Sequence, residues 1–308
     1  MLIIGSRGST LALSQTGWVR EQLISQLPPG SPPLPPIKVI KTSADKDTRT
    51  SIRAGSNVGV FVRELEEALL SGEIDLAVHS MKDLPGRIRE GLEITAIPVR
   101  EDARDALVTT TKATSIRELP PAAIVGTGSI RRQAQLLGMR PDLRVLDTRG
   151  NVDTRLKRME GGGYDALILA CAGLNRLGLH GRISAKLDPS EMLPAPGQGA
   201  LALEMRRGDR RAAFVRSTIH NQPAALEVMA ERAFLRRVGG GCNSPVAAQA
   251  SFDGIRLKIE GLIASPDGSN LIRESTTSEA ETGEEAAALL AEKILSLGGR
   301  EILRSLRV

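Results

Sequence analysis

Aromatic side chains are scarce: they make up 2% of the 308 residues, with one Trp, one Tyr and four Phe. A nucleic-acid surface that stacks bases on rings is therefore poorly supplied. Cysteine is scarcer still, and its two positions, Cys171 and Cys242, exclude a disulfide-built scaffold and fit a reducing compartment. Three histidines and no Cys/His cluster at ligand spacing argue against a metal site. No apolar run approaches the length of a membrane span, and the opening MLIIGSRGST reaches Gly and Arg too soon for a signal-peptide core. The expectation is a cytoplasmic protein with neither a membrane nor a nucleic-acid partner.

The length and the 41% hydrophobic content suit two or three globular domains. Forty-one Lys and Arg face thirty-six Asp and Glu, for a formal charge of +5, and the arginines recur in short clusters of the kind that bind small polyanions. From Leu2 to about Val99, short apolar runs alternate with amphipathic stretches, which predicts an α/β domain with a largely parallel sheet. LIIG, IKVIKT and IDLAVH read as strands, and Leu11, Trp18, Val19, Leu23 and Leu27 have helical spacing up to the proline-rich linker PPGSPPLPP. The polar stretch from Ser43 to Asn57 has neither period and reads as a loop, after which Phe61, Leu65 and Leu69 repeat every four residues. A second α/β unit runs from AAIVGTGS to YDALILACAGL, with paired crossings between two lobes near IPVREDARD and LPAPGQGALALE and a cleft between them. After Asn221 the pattern becomes α+β: a helix opens at Pro223 and ends at Gly239, FDGI and SPDGSN mark hairpin turns, and an Ala-rich helix lies near Glu281 to Leu297. No fixed-period repeat is visible. The expected domains are 1-99 with 200-219, 100-199, and 220-308.

Several loops carry the chemistry. GSRGST sits between a strand and a helix, where free backbone N–H groups and the helix dipole favour an anion and Arg7 and Ser9 add donors; a plain helix cap is the alternative. GTGSIRRQ repeats the arrangement with Thr127, Ser129, Arg131 and Arg132, and because cations are disfavoured in a first helical turn, something negative should compensate. DTRGNVDTR places Arg149 and Arg155 after a further strand, and VHSMKDLP places Ser80, Lys82 and Asp83 at a strand's carboxyl end, where α/β sheets hold ligands. A solvated Lys-Asp turn is the other reading of that last segment. Cys171, within ALILACAGL, reads as a small core residue. Cys242 follows three glycines in VGGGCNSPV, a setting that presents a thiol for reaction.

Taken in order, GSRGSTLALSQ, AVHSMKDLP, GTGSIRRQ, RGNVDTRL, LPAPGQGALALE and GGGCNSP closely resemble the hydroxymethylbilane synthases, also called porphobilinogen deaminases, over essentially the whole chain. The resemblance implies two lobes similar to the type II periplasmic-binding-protein fold plus a small α+β domain, and a dipyrromethane cofactor joined to Cys242 by a thioether. It implies a stepwise condensation of four porphobilinogen molecules with loss of ammonia, then hydrolytic release of the linear tetrapyrrole. Asp83 would be the catalytic residue. Ser80, Lys82, Asp83, Thr127, Ser129, Arg131, Arg132 and Arg155 would hold the cofactor, and Arg7, Ser9, Arg149, Arg155 and Arg176 the substrate. A monomer is expected. One departure from the family pattern is AGSNVGVF, with Val58 where a lysine is common; Lys46, Arg49 or Arg53 could substitute. The rival reading is a non-enzymatic small-anion-binding protein of the periplasmic-binding-protein type, which has no use for Cys242 or the third domain.

Overall fold

A computed structural model describes residues 2–27, 29–30, 32, 34–40, 62–239 and 244–306. The expectations for the loop from Ser43 to Asn57, for Val58, for Phe61 and for Cys242 lie outside these residues. Along the chain come β1 (Ile4–Ser6), α1 (Thr10–Ser25), β2 (Lys38–Val39), α2 (Arg63–Leu70), β3 (Leu76–Ser80), β4 (Leu92–Ala96), β5 (Asp105–Thr109) and β6 (Ile124–Gly126). They are followed by α3 (Ile130–Met139), β7 (Arg144–Leu146), α4 (Val152–Glu160), β8 (Ala166–Ala170), α5 (Cys171–Arg176), β9 (Ala185–Lys186), β10 (Leu201–Arg206) and α6 (Ala212–Ile219). The last part contains α7 (Gln222–Val238), β11 (Val246–Phe252), β12 (Arg256–Ala264), β13 (Leu271–Glu279), α8 (Gly283–Ile294) and α9 (Arg300–Ser305).

The chain forms two compact units, Met1–Glu101 with Ala200–Ala225, and Asp102–Gly199 with Leu226–Val308. The first holds a sheet of order β2-β1-β3-β10-β4 and the second a sheet of order β7-β6-β8-β5-β9. Both have one plan: three neighbouring parallel strands, then an antiparallel strand, β10 or β5, that is the first strand after the chain changes unit. The α/β class predicted for both lobes is therefore present.

Strand alternation decides what each face buries. Along β3, Leu76 and Val78 join Ile4, Val19, Leu23 and Val215 on one face, while Ala77 meets Leu65, Leu69 and Leu92 on the other. In the second sheet, Leu107, Val125 and Ile168 pack with Leu136, and Val108, Leu167 and Leu169 with Leu156, Leu174 and Cys171.

The third sheet, β11-β12-β13, is antiparallel and packs against α7 and α8 through Ala230, Phe234, Ala287, Leu290 and Ile294. Full burial of a side chain like Phe234 contributes about 1.5–3 kcal/mol, and Gly261 makes room for it, because a Cβ there would stand 2.3 Å from the ring. Both predicted hairpin turns form. Asp253 Oδ1 accepts from the N–H groups of Ile255 and Arg256, and Asp267 Oδ1 accepts from that of Ser269.

Within the second unit this small domain is fastened to the α/β lobe. Ala134 and Leu193 of the lobe form one buried cluster with Ala247, Leu262 and Ala264 of the sheet. The buried Glu231 carboxylate on α7 accepts from Gly197 N at 2.6 Å and from Ala250 N at 2.8 Å. At the β12–β13 turn the backbones touch: Gly268 has φ +73°, and a Cβ there would lie 2.3 Å from Gly138 N and 2.6 Å from Ala134 O on α3. Gly268→Ala should therefore destabilise the second unit by about 2–4 kcal/mol, combining left-handed strain with a clash against backbone that cannot turn aside. Denaturant unfolding checks this. A loss below about 0.5 kcal/mol, the scale of an indifferent surface change, would show that the contact is slack.

Candidate active site

In the first unit the predicted residues gather at the carboxyl ends of the adjacent parallel strands β1 and β3. Ser9 is the N-cap of α1, its hydroxyl accepting from Ala12 N at 3.3 Å, so the cap reading of GSRGST is realised, with Arg7 half-buried beside it. At the end of β3 the Ser80 hydroxyl donates to Gln15 Oε1 at 3.1 Å, tying this strand end to α1. Met81 to Asp83 then make one tight helical turn, in which Met81 N donates to Ala200 O at 3.0 Å and Leu84 N to Met81 O at 3.2 Å. The side chains of Met81 and Leu84 are buried, at 1% exposure each, and this anchoring leaves Lys82 and Asp83 half-exposed between them.

In the second unit the site residues follow the carboxyl ends of three neighbouring parallel strands, β7, β6 and β8. After β6, Thr127 N donates to Leu146 O, the buried Thr127 hydroxyl accepts from Ser129 N at 3.2 Å, and Ser129 caps α3. After β7, Arg149 donates through Nε and Nη2 to Asp147 Oδ2, both at 3.2 Å, and Arg155 Nε donates to Gly150 O at 2.9 Å. Burial and the neighbouring Arg132 charge lower the pKa of Arg155, with Asp147 opposing them. After β8, Arg176 closes α5 and donates to Gly199 O at 2.7 Å.

Arg131 and Arg132 have an internal task. Arg131 Nη1 donates to Asp105 Oδ2 and to Leu193 O, each at 2.7 Å. Arg132 donates from Nη2 and Nε to Asp105 Oδ1 at 2.7 and 3.0 Å, and from Nη1 to Ile168 O at 3.0 Å. Gln198 Nε2 completes the cluster by donating to Asp105 Oδ1 at 2.9 Å. The negative group anticipated for this helix start is thus Asp105, wholly buried; the two guanidinium groups hold its carboxyl well below the usual carboxylate range, while burial lowers Arg131 itself. No local pattern pairs Asp105 with Arg131, which lies 26 residues after it in the chain. The local trace is an acidic residue, directly after Arg104, that opens the apolar run DALV.

Gly128 is needed where the loops after β6 and β7 meet, since a Cβ there would stand 2.8 Å from Thr148 O. Beside it, the buried Thr148 hydroxyl has no hydrogen-bond partner among the described residues. Guanidinium groups, hydroxyls and an open donor around a glycine-lined turn make a chemistry suited to ligands with several carboxylates. Among the described residues no His, Cys, Asp and Glu side chains group to hold a metal ion, and no helix is long and apolar enough to cross a membrane. Cys171 lies in the core, where burial pushes its thiol up to about 12.

Two measurements follow from this geometry. Asp105→Asn should destabilise the fold by about 3–5 kcal/mol, the scale for breaking a buried ion pair by removing one partner. Because the folded-state pKa of Asp105 is depressed, its contribution is present above the unfolded carboxylate value of about 3.9 and is lost as pH falls through the folded value. The wild-type advantage over Asp105→Asn should therefore shrink in acid, and an advantage that is constant with pH would contradict an ionised Asp105. For Cys171, native protein at about pH 8 should resist alkylation by iodoacetamide and react only once unfolded. Rapid native labelling at Cys171 would contradict its burial.

A family model described as porphobilinogen deaminase, dipyromethane cofactor binding domain, matches residues 2–213, and one described as porphobilinogen deaminase, C-terminal domain, matches residues 225–296. The chain is 47% identical over 309 residues to the porphobilinogen deaminase of Thermus thermophilus, covering 100% of this chain and 99% of that protein. It is 46% identical over 307 residues to that of Syntrophotalea carbinolica, covering 100% and 96%. Among solved structures, the periplasmic aliphatic sulphonate binding protein SsuA from Escherichia coli is similar at 17% identity with a TM-score of 0.42, covering 76% of this chain and 73% of that one.

Proposed function

The chain belongs to the porphobilinogen deaminase family, and on that premise we propose that its arginine-bearing loops bind the carboxylates of porphobilinogen and of the growing pyrrole chain while Asp83 serves the condensation. The family places the chain among the transferases and favours this activity over simple anion binding. Each condensation breaks the aminomethyl C–N bond of one porphobilinogen, forms one C–C bond to a pyrrole α-carbon and releases ammonia, which takes up the displaced ring proton. After four rounds, water releases the hydroxymethyl tetrapyrrole.

Dipyrromethane, held through Cys242, supplies the pyrrole α-carbon from which the chain grows. The second unit offers such a polycarboxylate group the unpartnered Thr148 hydroxyl, in the loop where Gly128 lets the segments after β6 and β7 meet. Ser129 and Thr127 shape the turn after β6, Arg155 and Arg176 are donors for carboxylates, and Arg149 joins them once its carboxylate partner changes. Arg131 and Arg132, engaged with Asp105, fix the helix start from which these groups act. In the first unit Arg7 and Lys82 add positive charge for carboxylates, and Ser80 and Ser9 hold the loops that present them. Asp83, carried on the anchored turn between Met81 and Leu84, places a carboxylate where positive charge develops as ammonia leaves, and it can accept and return a pyrrole N–H proton.

The observation that supports this reading most is the gathering of the separate sequence motifs at the carboxyl ends of the parallel strands within each unit. We also propose a monomer in the cytoplasm and the domain limits 1-99 with 200-219, 100-199, and 220-308, a division supported by separate hydrophobic cores under the three sheets.

Asp83→Asn keeps the shape and removes the charge. On cofactor-loaded protein it should slow ammonia release and tetrapyrrole formation by roughly 10²-fold or more, the scale for losing one preorganised electrostatic group, with a much smaller change in substrate binding. Near wild-type turnover would return Lys82 and Asp83 to the status of a solvated turn. In parallel, Cys242→Ser should lose the mass increment of a covalent dipyrrole while Cys171→Ser retains it; an adduct persisting in the Cys242 variant would remove the assignment of the thioether.

A further inference from the structure

Among the cationic loops of the second unit, one acidic side chain stands where a ligand carboxylate is expected. Asp147 follows β7 directly, and its Oδ2 accepts both N–H groups that Arg149 offers it, at 3.2 Å each. Its Oδ1 lies 3.3 Å from where a Cβ on Gly128 would stand, so it also reaches the backbone of the loop after β6. Its charge is felt at Arg155, where it opposes the effect of burial and of Arg132. A carboxylate in the midst of a set of carboxylate donors competes with any ligand of the same chemistry.

The Asp147 pair differs in kind from the Asp105 cluster. Asp105 is wholly buried and bonded by two guanidinium groups and an amide, so its arginines cannot be surrendered without leaving a charge unpaired inside the lobe. The side chains of Asp147 and Arg149 are 30% and 35% exposed, and their bonds are long for a charge-assisted contact. Such a pair is weak and opens readily into water.

We propose that Asp147 is an internal counter-ion that holds the Arg149 guanidinium until a pyrrole carboxylate displaces it, and so sets how loosely the substrate and the growing chain are bound. This rests on the reading of Arg149 as a substrate-carboxylate donor. Binding then exchanges one ion pair for another, so the net gain per carboxylate is small. An enzyme that must finally release a product with eight carboxylates gains nothing from uniform tight binding, because affinity shared by ground and transition states does not raise turnover.

The test compares wild type, Asp147→Asn and Arg149→Leu as cofactor-loaded proteins. Each is titrated calorimetrically with a porphobilinogen analogue that lacks the aminomethyl group, which keeps the acetate and propionate but cannot lose ammonia; KM and kcat for porphobilinogen are measured alongside. Asp147→Asn should bind the analogue tighter and lower KM by about two- to fivefold, the range expected for a partly exposed pair, without raising kcat. The gain should fade as salt rises. Arg149→Leu should weaken the analogue. If Asp147→Asn leaves affinity unchanged or weakens it while Arg149→Leu weakens it, the counter-ion role is overturned and the Arg149 reading stands. If Arg149→Leu leaves affinity unchanged, the Arg149 reading fails and the proposal fails with it. Should Asp147→Asn not fold, Asp147→Ser removes the same charge and carries the same expectations.

Discussion

The buried ion cluster at Asp105 is the interaction on which the second unit depends. Removing a carboxylate and two guanidinium groups from water costs several kcal/mol per ion, and that cost is offset only when every partner is in place. Here the members come from four separate parts of the chain. Asp105 opens β5, Arg131 and Arg132 lie in the first turn of α3, Ile168 belongs to β8, and Leu193 and Gln198 to the segment leading back to the first unit. The cluster thereby fixes the antiparallel strand, the helix start and the crossing segment with one set of charges. The cations also sit at the end of α3 where the helix dipole disfavours them, a placement that only a buried anion makes tolerable.

The arrangement divides the arginines of the lobe by depth. Arg131 and Arg132, at 3% and 6% exposure, are bonded to the buried Asp105, whereas Arg149, Arg155 and Arg176 hold partly exposed positions. The first unit uses apolar anchoring for a similar end. Met81 and Leu84 sink into the core and the two residues between them are presented, so hydrophobic burial, which is non-directional, positions a directional electrostatic group.

Much of this was legible in the sequence, for local reasons. Helix starts at Ser9, Ser129 and Pro223 are written in capping residues and proline, the hairpins in Asp-Gly pairs, and the end of α7 in Gly239, whose φ of +70° favours glycine. The strand ends carrying Ser80, Thr127 and Arg149 follow from apolar runs meeting polar loops. What was not legible is long-range. Nothing near Arg131 names Asp105, and nothing near Arg149 shows that Asp147, two residues away, bonds it rather than facing water. The shared strand order of the two sheets is equally hidden, because each inserts a strand from the far side of a crossing and no fixed period survives in the sequence.

Asp105 stays ionised inside the lobe because two guanidinium groups hold it so. The direct measurement is an acid titration of protein carrying ¹³C-labelled aspartate carboxyl groups, with Asp105→Asn used to assign the signal. The Asp105 resonance should keep its ionised position throughout the range near pH 4 where exposed aspartates protonate, changing only when the fold itself is lost. A resonance that titrates with the exposed carboxylates in still-folded protein would show that the buried ion cluster does not exist as described.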